Sequence, residues 1–365
     1  MTSTTSSSSA TSTPTDTSNF IHYLGRVNPS TKELTWPGTG VAFTFTGTSA
    51  TIQIAQISGA NSVELTIDSN DPIIIANVAD TSITTPTGLS HGTHTVLLRK
   101  RSEAQYGSLF LGAITTDGNF LRYTPATRQI DIIGDSISVG YGLDGTFPCT
   151  NTAALENNPA TYGALAAKSL GAEYSAIAWS GKGLVRNIAT GDVDTSPTMP
   201  ELYTRYGAND ADNSYPFATN NNTGTVAWSW TPDAVVIALG TNDFSYLAYD
   251  SSGQAYSARD PIDAATFTAG MVAFVRAIRA HYAAAEVFLV GSPMLSDTWP
   301  TAGDAQHSTL SAALQDAVEG IGAGAHFVEW ATQGAEVGCD YHPNAATNEA
   351  QAVVLEGVLR AVLGW

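Results

Sequence analysis

The 365-residue chain is poor in basic residues: it has 15 lysines and arginines against 33 aspartates and glutamates, for a formal net charge of -18. Such a charge repels a phosphate backbone or an anionic membrane surface. The sequence also lacks any apolar stretch of roughly 20 residues, the length that a helix needs to span a bilayer. We therefore expect a soluble protein that binds neither nucleic acid nor membrane.

Metal-ligand spacing is missing as well, because the histidines do not recur with cysteines or carboxylates at suitable intervals. We expect no metal and no other cofactor. The segment "GYGLDG" fits the glycine pattern of dinucleotide binding, but it begins several residues after a strand instead of at its turn. A Gly-x-Ser-x-Gly elbow is absent too, since Ser138 stands two residues after Ser136, and this argues against the α/β-hydrolase fold.

The N-terminal segment "TSTTSSSSATSTPTDTS" lacks both the basic start and the apolar middle of a signal peptide. Its serine, threonine and proline cannot build a core, so we interpret residues 1–18 as a disordered linker. Such a linker often joins a secreted catalytic unit to another module, for example a carbohydrate-binding module; an ordinary ragged N-terminus is the alternative. One glycosylation sequon, at 221–223, is compatible with secretion.

Between residues 19 and 126 the sequence consists of short runs in which apolar and polar residues alternate. Examples are "VAFTFTG" from Val41, "TIQIAQI" from Thr51, "VELTI" from Val63 and "THTVLLRK" from Thr93. Alternation with a period of two is typical of strands with one buried face, and several such strands at close spacing indicate a β-sandwich. We predict an all-β jelly-roll domain over residues 19–126, with no catalytic constellation of its own.

From residue 127 the pattern changes to apolar runs that alternate with helical segments. The runs "QIDIIG", "AEYSAIAW", "DAVVIALG", "AEVFLVG" and "AHFVEW" are typical of parallel strands covered on both faces. One helical segment carries its apolar residues on a single face: Phe267, Met271, Phe274, Val275, Ile278 and Tyr282. This alternation predicts a three-layer, doubly wound α/β domain over residues 127–365, whose ligands bind beyond the carboxyl ends of its strands.

Three polar clusters fall where such a sheet would bind its ligand. They are "GDS" at 134–136, "GTND" at 240–243 and "DYHPN" at 340–344. Each alone has an ordinary structural explanation, respectively as a helix N-cap, as a strand-ending turn, and as a turn with a surface histidine. Their conjunction favours catalysis, because together they supply the groups that a serine nucleophile requires.

Acyl transfer to serine needs a hydroxyl, a neutral imidazole, a group that fixes the imidazole tautomer, and donors aimed at the developing oxyanion. We assign Ser136 as the nucleophile and His342 as the general base. Asp340, two residues before the histidine, would orient the ring. The oxyanion donors would be the backbone N–H groups of Ser136 and Gly181 and the side-chain amide of Asn242.

With these motifs the chain resembles the SGNH, or GDSL-type, hydrolases. The blocks of that superfamily match Gly134-Asp135-Ser136, Ser180-Gly181, Gly240-Thr241-Asn242-Asp243 and His342. The general pattern places the acid three residues before the histidine, where this sequence has Cys339. The Asp-x-His spacing instead resembles carbohydrate esterase family 2. That family also has an N-terminal jelly roll, a "KRTE"-like segment, here "KRSE" at 100–103, and a "GDSxxxGYG" block, here at 134–142.

The resemblance implies a secreted esterase that removes acetyl groups from hemicelluloses such as xylan and glucomannan, often at a sugar 6-O position. The residues themselves support an O-acyl esterase. Two alternatives stay open: a lipid or thioester hydrolase on the same scaffold, and a glycan-binding protein with an inactive hydrolase domain. Sugar binding calls for aromatic platforms, and the candidates are Trp179, Trp299, Trp330 and Tyr341, with core or surface packing as the other explanation. We assign only Tyr341, because it adjoins His342.

Some relatives use a Ser-His dyad whose ring is oriented by the backbone, which leaves the role of Asp340 open. If its carboxylate orients His342, Asp340→Asn should lower kcat by orders of magnitude, and a loss under about tenfold would indicate the dyad. The two cysteines flank the same blocks. Cys149 follows the nucleophile and Cys339 precedes the histidine, so the expected fold brings both to one rim. We predict a disulfide between them, with buried free thiols as the alternative.

Overall fold

The computed structural model describes residues 20–192, 194–217, 230–334 and 337–365. The predicted linker at 1–18 and the sequon at 221–223 lie outside the described residues. Among the helices that are described, none combines the length and the apolar character that a membrane crossing requires.

The N-terminal part of the chain folds into two antiparallel sheets. Its strands are β1 (Ile21–Leu24), β2 (Glu33–Leu34), β3 (Gly40–Gly47), β4 (Ala50–Gly59), β5 (Val63–Ile67), β6 (Ile73–Ile75), β7 (Ser82–Thr84), β8 (Gly92–Lys100), β9 (Gly107–Thr116) and β10 (Asn119–Leu121). One sheet has the order β1-β3-β8-β5-β6, with β10 also paired to β3, and the other has the order β2-β9-β4-β7.

The predicted alternation accounts for the core between these sheets. In β5 the apolar Val63, Leu65 and Ile67 are buried, whereas the residues between them are only partly covered. From the other sheet, Ile52 and Ile54 of β4 enter the same hydrophobic cluster. Since successive side chains of a strand point to opposite faces, one apolar face of each sheet fills the space between them. The structure confirms the predicted sandwich.

The C-terminal part alternates strands and helices. Its strands are β11 (Arg128–Gly134), β12 (Ala172–Ala178), β13 (Ala234–Ala238), β14 (Leu247–Tyr249), β15 (Ala255–Ser257), β16 (Glu286–Val290) and β17 (Ala325–Val328). Its α-helices are α1 (Ser136–Val139), α2 (Tyr162–Ser169), α3 (Met199–Leu202), α4 (Thr241–Phe244), α5 (Ala264–His281), α6 (Gln306–Ile321) and α7 (Ala345–Leu363). Short 3₁₀ turns occur at Asn158–Ala160 and Cys339–Tyr341.

Five parallel strands form the central sheet, in the order β12-β11-β13-β16-β17, and β14 and β15 form a separate hairpin. Helices α5 and α6 pack on one face through one hydrophobic cluster, and α2 and α7 cover the other face through a second cluster. The amphipathic pattern correctly predicted α5, where Phe267, Met271 and Val275 are fully buried. The result is the predicted three-layer α/β architecture.

The register of this sheet determines where the site lies. Gly134, the last residue of β11, pairs with Ala178 of β12 and with Ala238 of β13. Three adjacent strands therefore end at the same level, and the loops that follow them leave the sheet side by side. This is the edge at which ligands of open parallel sheets bind.

Candidate active site

Ser136 begins the single turn of α1 directly after β11. A Cβ atom at Gly134 would lie 2.0 Å from the Ser138 hydroxyl oxygen, so the strand must end in glycine for the turn to close. The preceding Asp135 is the N-cap, and its carboxylate accepts a 3.0 Å hydrogen bond from the Ile137 N–H. Burial raises the pKa of Asp135 to about 7. This geometry places the Ser136 hydroxyl on the wall of a cavity at the sheet edge.

His342 approaches Ser136 from the loop before α7. Its Nε2 lies 2.8 Å from Ser136 Oγ, and its Nδ1 lies 3.2 Å from the backbone carbonyl oxygen of Asp340. Because a carbonyl can only accept, Nδ1 carries the proton and Nε2 is free to accept from the serine. Burial lowers the pKa of His342 to about 4, so the imidazole is neutral at pH 7. These are the requirements of a general base.

The Asp340 carboxylate does not take the position expected for it from the sequence. It accepts hydrogen bonds from the Tyr141 hydroxyl, at 3.1 Å, and from the Asn151 backbone N–H, at 3.0 Å, while only the carbonyl of Asp340 meets the ring of His342. The reason is the backbone, which is left-handed at Asp340 (φ 50°) and again at Tyr341 (φ 62°). This turn sends the carbonyl and the side chain to different neighbours.

Left-handed conformations of non-glycine residues cost about 1 kcal/mol or more each, so the surroundings must hold this loop. The Asp340 N–H donates to the Cys149 carbonyl at 3.0 Å, and the Cys149–Cys339 disulfide joins the same two segments across 190 residues of sequence. A Cβ atom at Gly145 would lie 2.2 Å from the sulfur of Cys339, so a larger residue at position 145 would collide with the disulfide. The predicted disulfide is confirmed, and it fastens the histidine loop to the segment after α1.

The three candidate oxyanion donors line one cavity of about 740 Å³ together with His342. Gly181 has φ 78°, a left-handed value that glycine adopts without steric cost. The Asn242 amide donates to the Lys182 carbonyl at 2.8 Å and lies 3.3 Å from an Asp135 carboxylate oxygen. The amide is thus fixed beside the cavity, and it would share its protons between these acceptors and an oxyanion.

Asp243, the last residue of the "GTND" block, has a role that the sequence reasoning missed. Its buried carboxylate accepts hydrogen bonds of 2.9, 2.7 and 3.1 Å from the backbone N–H groups of Leu184, Val185 and Arg186. Burial raises the pKa of Asp243, and these donors oppose the shift. The carboxylate therefore shapes the loop that follows Gly181. The sequence feature that could have predicted this role is the position of Asp243 in the "GTND" block.

The aromatic candidates occupy different environments. Trp330 is buried in the core, and Trp179 packs partly buried against the other core cluster. Trp299 is 56% exposed and lines the cavity. Tyr341 is 65% exposed, and its ring lies 4.7 Å from that of Phe147, beside the cavity and not among its lining residues. Of the four, Trp299 therefore has the position that the sequence reasoning gave to Tyr341.

Two further features of the cavity were not predicted. The Tyr141 ring lies 4.1 Å from the His342 ring and lines the cavity; its signal was its place in the "GDSxxxGYG" block. Within the described ranges, the lining includes no aspartate, glutamate, lysine or arginine. The wall combines polar uncharged groups with apolar side chains such as Ile188, Leu247 and Leu295. Such a surface suits a neutral ligand with hydroxyl groups and an apolar face.

Comparisons with known proteins match both halves of the chain. The family model "Carbohydrate esterase 2 N-terminal" matches residues 23–125, and "GDSL-like Lipase/Acylhydrolase family" matches residues 132–350. A crystal structure of a carbohydrate esterase family 2 enzyme plus carbohydrate binding domain, from Corynascus thermopiles (Myceliophthora fergusii), is 63% identical with a TM-score of 0.87. The match covers 94% of this chain and 100% of that chain.

Two curated relatives are each 30% identical to this chain. The acetylxylan esterase / glucomannan deacetylase of Cellvibrio japonicus matches over 92% of this chain and 89% of its own length. The cellulase/esterase CelE of Acetivibrio thermocellus matches over 97% of this chain but only 41% of its own length, so the chain spans less than half of that protein. Both halves of the chain and their order are thus shared with known esterases, and the chain belongs to carbohydrate esterase family 2, as a two-domain SGNH hydrolase.

Proposed function

We propose that this protein is a secreted esterase that removes O-acetyl groups from plant cell-wall polysaccharides such as xylan and glucomannan. The observation that carries the proposal is the 2.8 Å contact between Ser136 Oγ and the neutral His342 Nε2 in an open cavity. The name of the Cellvibrio relative, an acetylxylan esterase / glucomannan deacetylase, supports this substrate class. The uncharged cavity wall suits acetylated neutral sugars.

In the proposed mechanism, Ser136 Oγ attacks the acetyl carbonyl carbon as His342 Nε2 takes the hydroxyl proton. The oxyanion accepts hydrogen bonds from the N–H groups of Ser136 and Gly181 and from the Asn242 amide. As the carbonyl re-forms, the C–O bond to the sugar breaks and His342 donates its proton to the departing sugar oxygen. Water, deprotonated by His342, then attacks the acetyl-enzyme, and the bond between the acetyl carbon and Ser136 Oγ breaks. His342 returns its proton to Ser136 Oγ, and acetate leaves.

The orienting group in this proposal is the carbonyl of Asp340, which makes the catalytic pair a Ser136–His342 dyad. The carboxylate of Asp340 supports the dyad indirectly, because it fixes the turn that aims the carbonyl. On the substrate side, Trp299 on the cavity wall and Tyr341 beside it offer exposed aromatic faces for sugar rings. Tyr341 thus stays a candidate for binding the polysaccharide further from the acetyl group.

The test is initial-rate hydrolysis of acetylated xylan, acetylated glucomannan and 4-nitrophenyl esters from acetate to octanoate. Ser136→Ala should lower acetate release by at least about 10⁴-fold, since the nucleophile is lost. Ser138→Ala is the matched control, because Ser138 lies two residues away and its hydroxyl pairs with Tyr162 at 2.8 Å instead of His342. Equal rates for wild type and Ser136→Ala would refute the proposal, and a preference for octanoate would favour a lipid hydrolase.

A further inference from the structure

The loop between β8 and β9 extends from the jelly roll to the catalytic cavity. Gln105 of this loop is one of the cavity-lining residues. Glu103 is fully buried, and its Oε2 accepts a 2.8 Å hydrogen bond from the backbone N–H of Ser180. Ser180 directly precedes Gly181, the proposed oxyanion donor. An acidic side chain of the N-terminal domain is thus bonded to the backbone one residue before the oxyanion hole.

The Glu103 carboxylate accepts several donors and forms no salt bridge among the described side chains. Its second oxygen accepts from the Gln105 amide. The buried Lys100 ammonium donates to the backbone carbonyls of Ser102, at 2.7 Å, and of Glu103, at 2.9 Å, and not to the carboxylate. Such a carboxylate depends on its hydrogen-bond donors for stabilisation, and the Ser180 N–H is one of them.

A second buried carboxyl group, that of Glu156 in the catalytic domain, lies against Glu103. It accepts a 2.6 Å hydrogen bond from the Glu103 backbone N–H, and its carboxyl contacts that of Glu103. Burial, and then the nearby Glu103 carboxylate, raise the pKa of Glu156 well above its usual range. It also accepts from the Asn151 amide at 2.8 Å, and Asn151 donates its N–H to Asp340. The Glu103–Glu156 pair therefore connects the Ser180–Gly181 segment with the loop that carries His342.

The segment that contains Gly181 needs such an anchor. Glycine restricts the backbone less than any other residue, and Gly181 has a left-handed φ. Asp243 anchors the residues after it, at 184–186, and Glu103 anchors the residue before it. Without an acceptor, the part-buried Ser180 N–H would be unpaired, and the segment would shift to find one.

We propose that Glu103, a residue of the N-terminal domain, is a positioning residue for the oxyanion hole. It fixes the Ser180-Gly181 segment so that the Gly181 N–H faces the developing oxyanion. This inference rests on the proposed esterase function, in which Gly181 is a donor. A displacement of about 1 Å at a reacting geometry costs about 100-fold in rate, which sets the scale of the effect.

The experiment compares Glu103→Gln and Glu103→Asp with wild type. In Glu103→Gln the side chain has one acceptor oxygen where the carboxylate has two, and its NH₂ group would face a donor. In Glu103→Asp the side chain keeps its charge but is too short to reach Ser180. We expect both variants to lower kcat for 4-nitrophenyl acetate by about tenfold to 100-fold, with KM changed less than about threefold. Affinity for a boronic acid that forms a tetrahedral adduct with Ser136 should fall in parallel with kcat.

Glu173→Gln is the matched control. Glu173 is also a buried carboxylate at the domain junction and lies 2.7 Å from the His22 ring, but it is near the start of β12, at the opposite end from Ser180. This variant should lose stability without losing kcat or boronate affinity. If Glu103→Gln does not fold, the comparison of Glu103→Asp with Glu173→Gln still decides the question.

Three outcomes would count against the inference. If the Glu103 variants keep kcat and boronate affinity, or lose them no more than Glu173→Gln at equal melting temperature, Glu103 is only a domain contact and the inference is overturned. The proposed function then still stands, because the wild type remains an active acetyl esterase. A wild type that releases no acetate would overturn the proposed function, and this inference with it.

Discussion

At the scale of single residues, the two ends of Asp340 contribute separately to the site. The carbonyl meets the His342 ring and the carboxylate meets Tyr141 and Asn151. Asp340→Asn keeps the carbonyl and one acceptor oxygen, and asparagine tolerates a positive φ. We therefore expect kcat to fall by less than about tenfold, where loss of a triad acid costs about 10⁴-fold.

Steady-state kinetics with 4-nitrophenyl acetate would measure this difference, with Asp340→Ala as the companion variant. The alanine side chain cannot accept from Tyr141 or Asn151, so this variant should lower both kcat and the melting temperature. A loss near 10⁴-fold in Asp340→Asn would instead show that the carboxylate orients the ring during turnover.

The pKa of His342 leads to a second residue-scale prediction. Because burial lowers this pKa to about 4, Nε2 stays free to accept the Ser136 proton until the pH falls through about 4. The acid limb of kcat/KM should therefore lie near pH 4, well below the ordinary value of 6.5. A limb near 6.5 would contradict the burial argument. Circular dichroism over the same pH range separates titration of the base from unfolding.

The same shift bears on stability, with a definite sign. The unfolded chain protonates His342 near pH 6.5, whereas the folded chain does so only near 4. Between these values the unfolded state binds more protons, so this group lowers the free energy of unfolding as the pH falls from 6.5 to 4.

At the scale of elements, the sequence correctly predicted the strands and the helix whose positions follow from local periodicity. Apolar runs located the parallel strands, and the 3.6-residue pattern located α5, because burial of one face selects those spacings. The meeting of the three polar clusters also followed, since parallel strands end at one edge. The turn at Asp340 did not follow, because its partners Tyr141 and Asn151 are 199 and 189 residues away in sequence.

The disulfide is the element-scale feature that most directly affects this turn. Replacing Cys149 and Cys339 together by serine removes a bridge that closes 190 residues, worth at most about 5 kcal/mol in the chain-entropy model. The histidine loop would also lose its covalent attachment. We expect a lower melting temperature together with a lower kcat, measured by calorimetry and ester hydrolysis. A double variant with unchanged kcat would show that the hydrogen bonds of Asp340 suffice.

At the scale of the whole molecule, the domains share one buried junction. The Trp36 indole N–H donates to the Tyr206 carbonyl at 3.0 Å, and Arg101 pairs with Asp144. Trp36 also belongs to the hydrophobic cluster of the catalytic sheet. We expect a fragment of residues 127–365 to retain less than about 1% of the esterase activity, because it exposes this cluster and lacks Glu103. Circular dichroism and hydrolysis assays would test it, and a fully active fragment would contradict the expectation.

Overall charge gives a prediction about substrates. The chain has a net charge of -18, and the described cavity wall contains no basic side chain apart from His342. Acetylated oligosaccharides that carry a uronic acid beside the acetylated sugar should therefore react more slowly than neutral ones. The difference in rate between neutral and acidic substrates should decrease as salt is added, because screening weakens long-range repulsion. Release of acetate from matched neutral and acidic xylo-oligosaccharides would measure it, and equal rates at low salt would contradict it.

The loop between β8 and β9, which carries Glu103 and Gln105 to the cavity, also has a consequence for gene recombination. The segment between β10 and β11 looks like a convenient crossover point, because it separates two folds. A crossover there would join the hydrolase to a jelly roll without its matched loop. Under the proposed role of Glu103, the product would keep its oxyanion donors but lose the contact that positions Gly181. The two domains should therefore be inherited and engineered as one piece, with fusion points placed outside the pair.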